Sequence, residues 1–246
     1  KNVATILLKN ISLFAVAGIP FGGGKGAILG SPSDLSDTEL EEAWRGYGRL
    51  AANVIGIDVD VPAPDMNSGA REMAWLLDGY RQATGRIAPG VVTGKPPVLG
   101  GSTRRTGATG FGGTVVLDQW WNRHGGDLEK TASIQGFGKA GRGVAKALSN
   151  KGFRILAVSD SSATVYDPSG LSVDAVIQHK ESGKPLSAYD DARQHRSDYL
   201  MKVDAAVCVL AARERMVDAD NVGDLAASVV LELANGPITA PADDHL

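Results

Sequence analysis

Ser133-Ile134-Gln135-Gly136-Phe137-Gly138-Lys139-Ala140-Gly141 is the stretch on which the fold turns. A short apolar run feeds three glycines at G-x-G-x-x-G spacing. A helical pattern follows, with Val144, Ala147 and Leu148 facing inward and Gly152 as its stop. Alone, such a triplet is a weak signal; between a strand and a helix it reads as the phosphate turn of a dinucleotide-binding fold. Gly136 permits the tight turn, Gly138 lets a pyrophosphate reach the backbone, and Gly141 lets helix and strand pack closely. The phosphates would sit at the helix N-terminus, where unpaired N–H groups and the dipole favour anions, with the neighbouring Phe137 backbone and the Lys139 charge beside them. Asp160 closes the next expected strand, Arg154–Ser159, 24 positions on (136 to 160). An acid there takes ribose hydroxyls and repels the extra phosphate of NADP, which leans the reading toward NAD and leaves NADP open. The competing reading is a glycine turn in an α/β domain that binds nothing.

Outward from this turn, residues 203–210 and 228–233 read as two more buried strands, and the alternation with helices predicts a parallel, doubly wound sheet. Earlier in the chain, Ser36 with Glu39 forms a capping-box pattern. Leu40, Ala43, Trp44, Tyr47, Leu50, Ala51 and Val54 then recur at helical spacing, with Gly46 and Gly48 marking close packing. Residues 70–81 predict a helix with Met73, Leu76, Leu77 and Tyr80 on one face. Residues 14–19 predict a buried strand. Seven glycines between Gly94 and Gly113 predict a loop-rich stretch, with a helix resuming at Thr114.

The chain has 246 residues, 43% hydrophobic and 22% charged, with a net charge of −3. That is globular composition with no electrostatic pull toward nucleic acid or anionic membrane. The longest apolar run, Ile11 to Phe21, is too short to span a bilayer. Cys208 is the single cysteine, so no internal disulfide forms, which fits a reducing, cytoplasmic compartment. The four histidines show no metal-ligand spacing, and no metal is expected.

Pro20-Phe21-Gly22-Gly23-Gly24-Lys25-Gly26-Ala27-Ile28 is the second informative stretch. Gly23 and Gly24 let a substrate approach the backbone while the Lys25 ammonium projects into the same space. A lysine held short of water titrates more easily than a free one, as acid–base chemistry requires. Gly26 follows Lys25 where a Walker loop needs a hydroxyl, which argues against a P-loop. Two prolines, Pro62 and Pro64, force an extended, rigid loop just before Asp65.

Together these motifs resemble the glutamate/leucine/phenylalanine/valine dehydrogenase family, and its glutamate dehydrogenase branch in particular. The matching residues are Pro20 to Ile28, Asp58 to Asn67 with Ala74-Trp75, Thr93 to Pro96 through Gly100-Gly101-Ser102, Ala108-Thr109-Gly110, Gln135 to Gly141, Val158 to Ser161, and Ala234 to Pro237. The resemblance covers nearly the whole chain, in the family's order. It implies that Lys25 activates water and stabilises charge at the substrate carbon. It implies that Asp65 shuttles protons to and from the amino group, that Thr109 lies beside the nicotinamide, and that Asn235 contacts the nicotinamide ribose. The implied reaction is reversible oxidative deamination of L-glutamate to 2-oxoglutarate and ammonium, and the implied assembly is a homo-oligomer, a hexamer by resemblance.

Residues 1–114 are then expected to form an α/β substrate-binding and oligomerisation domain, N-terminally incomplete. Residues 115–246 are expected to form a Rossmann domain, C-terminally incomplete, with the active site in the cleft between the two. Several positions depart from the family pattern. Leu13 stands where a lysine usually holds the substrate α-carboxylate, with Lys9 four residues earlier; Ala27 replaces a glycine, Thr106 and Gly107 an acidic pair, and Lys139 an asparagine. Leu210, Arg215 and Leu233 replace a proline, an asparagine and a glycine. Two other readings follow: a leucine-, phenylalanine- or valine-type dehydrogenase, or a catalytically impaired member serving as an assembly or regulatory subunit.

Overall fold

The structure, a computed structural model, describes residues 3–6, 18, 20, 22–65, 67–103 and 107–246. The strand expected over residues 14–19 falls, apart from Gly18, outside them, as do Lys9, Leu13, Phe21 and Thr106. The chain forms two compact units, Lys1–Arg105 and Thr106–Leu246.

In the first unit, β1 (Val3–Ile6) pairs antiparallel with β2 (Lys25–Ile28), setting Ile6 opposite Lys25. Helix α1 (Asp37–Ala51) starts at the expected capping box: the Glu39 N–H donates to Ser36 Oγ, and the Ser36 N–H donates to the Glu39 carboxylate. Helix α2 (Ala70–Thr84) ends at Gly85, whose left-handed backbone (φ 71) is the glycine stop of a helix. The two helices cross backbone to backbone. A Cβ on Gly48 would fall on the Leu76 carbonyl, and one on Gly79 on the Arg45 carbonyl. A Cβ on Gly46, the other glycine of α1, would meet only the Arg49 guanidinium of the same helix at 3.7 Å, an ordinary contact, so only Gly48 serves the crossing. Ala51, Ile55, Met73, Leu76, Tyr80, Val91 and Val92 form the core beneath. Leu50 and Val54, on the helical pattern of the sequence, are exposed.

The second unit is built on a six-stranded sheet in the order β6-β5-β4-β3-β7-β8. Four strands are parallel: β3 (Thr131–Gln135), β4 (Arg154–Ser159), β7 (Val207–Leu210) and β8 (Val229–Glu232). β5 (Thr164–Tyr166) and β6 (Arg193–His195) continue the sheet antiparallel, so it is mixed rather than wholly parallel. The strand expected from Val203 forms only from Val207. β3, β4 and β7 are buried on both faces, whereas β8 is only partly covered. Val207 and Val209 join the core with Ile134, Val144 and Leu148, whereas Cys208 and Leu210 join a second core with Leu156, Leu200 and Met201.

Helix α3 (Ala108–His124) begins within the glycine-rich stretch, well before Thr114. Each interior glycine costs a helix about 1 kcal/mol, but two of them are needed for packing. A Cβ on Gly110 would lie 2.6 Å from the Val144 nitrogen of α4 (Lys139–Asn150), and one on Gly113 would collide with the Leu233 side chain. Close packing therefore overrides propensity. The helix runs unbroken across 114/115, where the sequence reading divided the domains, and belongs wholly to the second unit. Helices α5 (Val173–Glu181) and α6 (Ala240–Asp243) complete the unit.

Candidate functional site

In the first unit, Gly22, Gly23 and Gly24 lead without regular structure into β2, whose first residue is Lys25. The Lys25 ammonium donates to Asp65 Oδ2, an ion pair that joins residues 40 apart in the chain. The two side chains are 37% and 60% exposed, so the pair is open to a solute. Gly26 lies under Tyr47 of α1: a Cβ there would meet the phenol oxygen. Burial raises the Tyr47 pKa above its ordinary value.

Asp65 sits in a turn fixed on both sides. Its N–H donates to Ser68 Oγ at 2.8 Å, and that hydroxyl donates to the Asp65 carbonyl at 3.0 Å. The Ser68 N–H donates to the same carbonyl at 3.1 Å. On the preceding side, the Thr93 N–H donates to the Pro62 carbonyl at 2.9 Å. Gly94, with φ +70, lies so close to the Pro64 ring that a Cβ would be 2.5 Å from its Cγ and Cδ. The buried Lys95 donates to the Val92 carbonyl at 2.8 Å and so ties down the loop carrying Gly94.

In the second unit, the strand–turn–helix read from the sequence is formed by β3, Gly136-Phe137-Gly138 and α4. Gly136 is left-handed (φ +89), with a would-be Cβ 2.5 Å from Ala212 Cα; a Cβ on Gly141 would overlap the Gly136 carbonyl. Gly138 is different, since nothing lies within 4 Å of its missing Cβ. Two of the three glycines thus serve packing, and one leaves the backbone uncovered beside the free N–H groups of the α4 start, an anion-accepting arrangement. Phe137 is buried in the core, so only its backbone faces that space, and Lys139 is exposed at the first turn.

The residues that follow the parallel strands share one edge of the sheet: Gly136 after β3, Asp160 after β4, and Asn235 just beyond β8. The Asn235 turn is held by hydrogen bonds from Ala234 N to Leu210 O and from Arg215 N to Gly236 O. Thr109 is exposed at the start of α3, next to the Gly110 contact with α4. The order reverses direction at β3, between β4 and β7, the crevice where open α/β sheets bind ligands.

Asp160 is more heavily engaged than its sequence position suggested. Oδ1 accepts from Ser162 N at 2.8 Å, from Ser162 Oγ and from Ala163 N at 3.2 Å; Oδ2 accepts from Lys180 Nζ at 2.6 Å and Leu186 N at 3.1 Å. Burial alone would raise its pKa, but the hydrogen bonds from Lys180, Ser162 and Leu186 outweigh burial and hold the carboxyl well below the usual range. Among the described residues, no group of three or more His, Cys, Asp or Glu side chains is placed to hold a metal ion. Nor is any described helix long and apolar enough to cross a membrane.

Residues 100–246, more than half of the chain, match the Glutamate/Leucine/Phenylalanine/Valine dehydrogenase family, and residues 7–82 match the Glu/Leu/Phe/Val dehydrogenase dimerisation domain. The chain belongs to this family. It is 42% identical to the NADP-specific glutamate dehydrogenase A1 of Halobacterium salinarum, over 94% of this chain and 56% of that one. It is 36% identical to the cryptic catabolic NAD-specific glutamate dehydrogenase GudB of Bacillus subtilis, over 97% of this chain and 57% of that one. The solved hetero-hexameric glutamate dehydrogenase of Thermus thermophilus, in its Leu-bound form, matches with a TM-score of 0.87 at 36% identity, covering 94% of this chain and 55% of that one. The chain thus spans just over half the length of the dehydrogenases it matches.

Tyr47, Ser68, Gly94 and Lys180 were not singled out as site residues by sequence reasoning. Only Gly94 carried a signal, the Thr93-Gly94-Lys95-Pro96 motif; the others are joined to the site by contacts that spacing does not reveal.

Proposed function

We propose that this chain carries the reacting residues of an NAD(P)-dependent glutamate dehydrogenase, interconverting L-glutamate with 2-oxoglutarate and ammonium. The hydrogen-bonded, solvent-open pair of Lys25 and Asp65, in a chain of this family, is the observation that carries the reading. Bound nicotinamide supplies the hydride acceptor. Asp65 takes a proton from the substrate ammonium, which prepares the carbon–nitrogen bond for oxidation. Lys25 places a positive charge beside the substrate carbon and orients the water that adds to the resulting imine. Gly23 and Gly24 leave the backbone bare for the substrate.

On the second unit, Gly138 with the backbone of Gly136 and Phe137 and the first turn of α4 would take the pyrophosphate, with Gly141 supporting the turn and Lys139 adding charge. Thr109 and Asn235 would meet the nicotinamide end. Asp160 already accepts five donors, so its part is to shape the turn beside the ribose. Lys180 offsets the charge it would set against a 2′-phosphate, which leaves NAD and NADP both open. Relatives of both specificities accord with this. The same reading takes the chain to be cytoplasmic, in keeping with its single cysteine, and part of an oligomer, which the likeness to the hetero-hexameric Thermus enzyme and the match to a dimerisation domain support.

The test is glutamate-dependent reduction of NAD and of NADP by the purified chain. Lys25→Ala and Asp65→Asn should each abolish it while dinucleotide binding persists. Turnover surviving both changes, or none from parent protein that binds dinucleotide, overturns the reading.

A further inference from the structure

We propose that Ser68 and Gly94 are positioning residues for Asp65: two supports that fix the carboxylate opposite Lys25 without touching substrate or cofactor. The inference rests on the reading of Asp65 as the proton-transfer group.

Asp65 is over half exposed and lies in a loop, yet it must hold one geometry for proton transfer. No strand or helix confines it, since α2 begins only at Ala70. The confinement comes from two backbone devices. Behind it, the Ser68 hydroxyl is used twice, accepting from the Asp65 N–H and donating to the Asp65 carbonyl. Both polar groups of the Asp65 backbone are thereby held by one side chain, and the Gly69 N–H is bonded in turn to Glu72 of α2 at 2.8 Å. The turn is so anchored to a helix whose Glu72 is buried.

In front of it, the Pro64 ring rests against Gly94, where no side chain has room. The left-handed backbone of Gly94 and the Thr93 N–H bond to Pro62 place that glycine under the ring. Proline fixes its own φ, so a displaced Pro64 ring carries the Asp65 backbone with it. A small misplacement of a reacting group is costly: about 1 Å loses on the order of a hundredfold in rate.

The test measures kcat, KM and the Asp65 amide exchange rate in Ser68→Ala, Ser68→Thr and Gly94→Ala. Ser68→Ala should lower kcat on the order of tenfold with KM little changed, speed exchange of the Asp65 amide, and leave the melting temperature near that of the parent. Ser68→Thr, which keeps the hydroxyl, should recover both. Gly94→Ala should lower kcat further, again with KM little changed. An unchanged kcat in both Ser68→Ala and Gly94→Ala, or an unchanged Asp65 amide in Ser68→Ala, overturns the proposal. Full turnover in Asp65→Asn alone overturns the reading of Asp65 instead, and the amide exchange then still decides whether Ser68 holds the turn.

Discussion

Lys180 reaches back 20 residues, from the end of α5 to the turn after β4, and donates its ammonium to Asp160 Oδ2 at 2.6 Å. An acid that sequence position marked for a ligand is thus the hub of a protein network that also binds Ser162, Ala163 and Leu186.

This network predicts an acid-sensitive share of stability. The folded pKa of Asp160 is depressed, so its contribution is complete above the unfolded carboxylate pKa of about 3.9 and is lost as pH falls through the folded value. Unfolding midpoints measured from pH 7 downward should fall more steeply below about pH 4 in the parent than in Asp160→Asn. At pH 7 that variant should be less stable by about 2–3 kcal/mol, the worth of hydrogen bonds to a charged group.

The crossing of α1 and α2 predicts opposite outcomes for two glycines of one helix. Gly48→Ala would drive a methyl into the Leu76 carbonyl and should cost about 2 kcal/mol or more as overpacking. Gly46→Ala has room and should be neutral or stabilise by about 0.5–1 kcal/mol through helix propensity. Urea unfolding of the two variants reads the difference.

The dinucleotide turn separates into folding and binding glycines. Gly136→Ala and Gly141→Ala should lower the melting temperature, since both new methyls meet backbone. Gly138→Ala meets nothing and should melt near the parent while losing dinucleotide affinity on the order of tenfold, because its methyl occupies the approach to the turn. Thermal melts and fluorescence titration with NAD and NADP distinguish the two classes.

Cys208 should be chemically silent. It is buried on β7, and burial pushes its thiol up to about 11. A thiol reagent at neutral pH should label the folded chain far more slowly than the chain in denaturant. Fast labelling of the folded form would show that β7 opens locally.

The strand, turn and helix around Gly136 were legible because each glycine answers a separate geometric demand and the apolar runs on either side have the right periods. The start of α3 was not, since Gly110 and Gly113 read locally as helix breakers; their reason lies in Val144 and Leu233, distant in sequence. β5 and β6 have three residues each, too few for an alternation to register. Within the site, spacing alone said nothing of Lys25 with Asp65. The glycine-rich loop marked Lys25 and resemblance marked Asp65, and folding over 40 positions brings their charges together. Asp160 was placed correctly at its strand end, but its occupied oxygens depend on Lys180 and Leu186, which no motif marks.

The seat of α3 on its neighbours has a mechanical consequence. Gly110 fastens it to α4 at backbone distance, and Gly113 meets Leu233 at the end of β8. Thr109, the Gly136–Gly138 turn and the approach to Asn235 are therefore parts of one stiff casting. Their mutual spacing is set once, during folding, and need not be rebuilt with each ligand that arrives, so ordering entropy at this edge is spent in advance of binding.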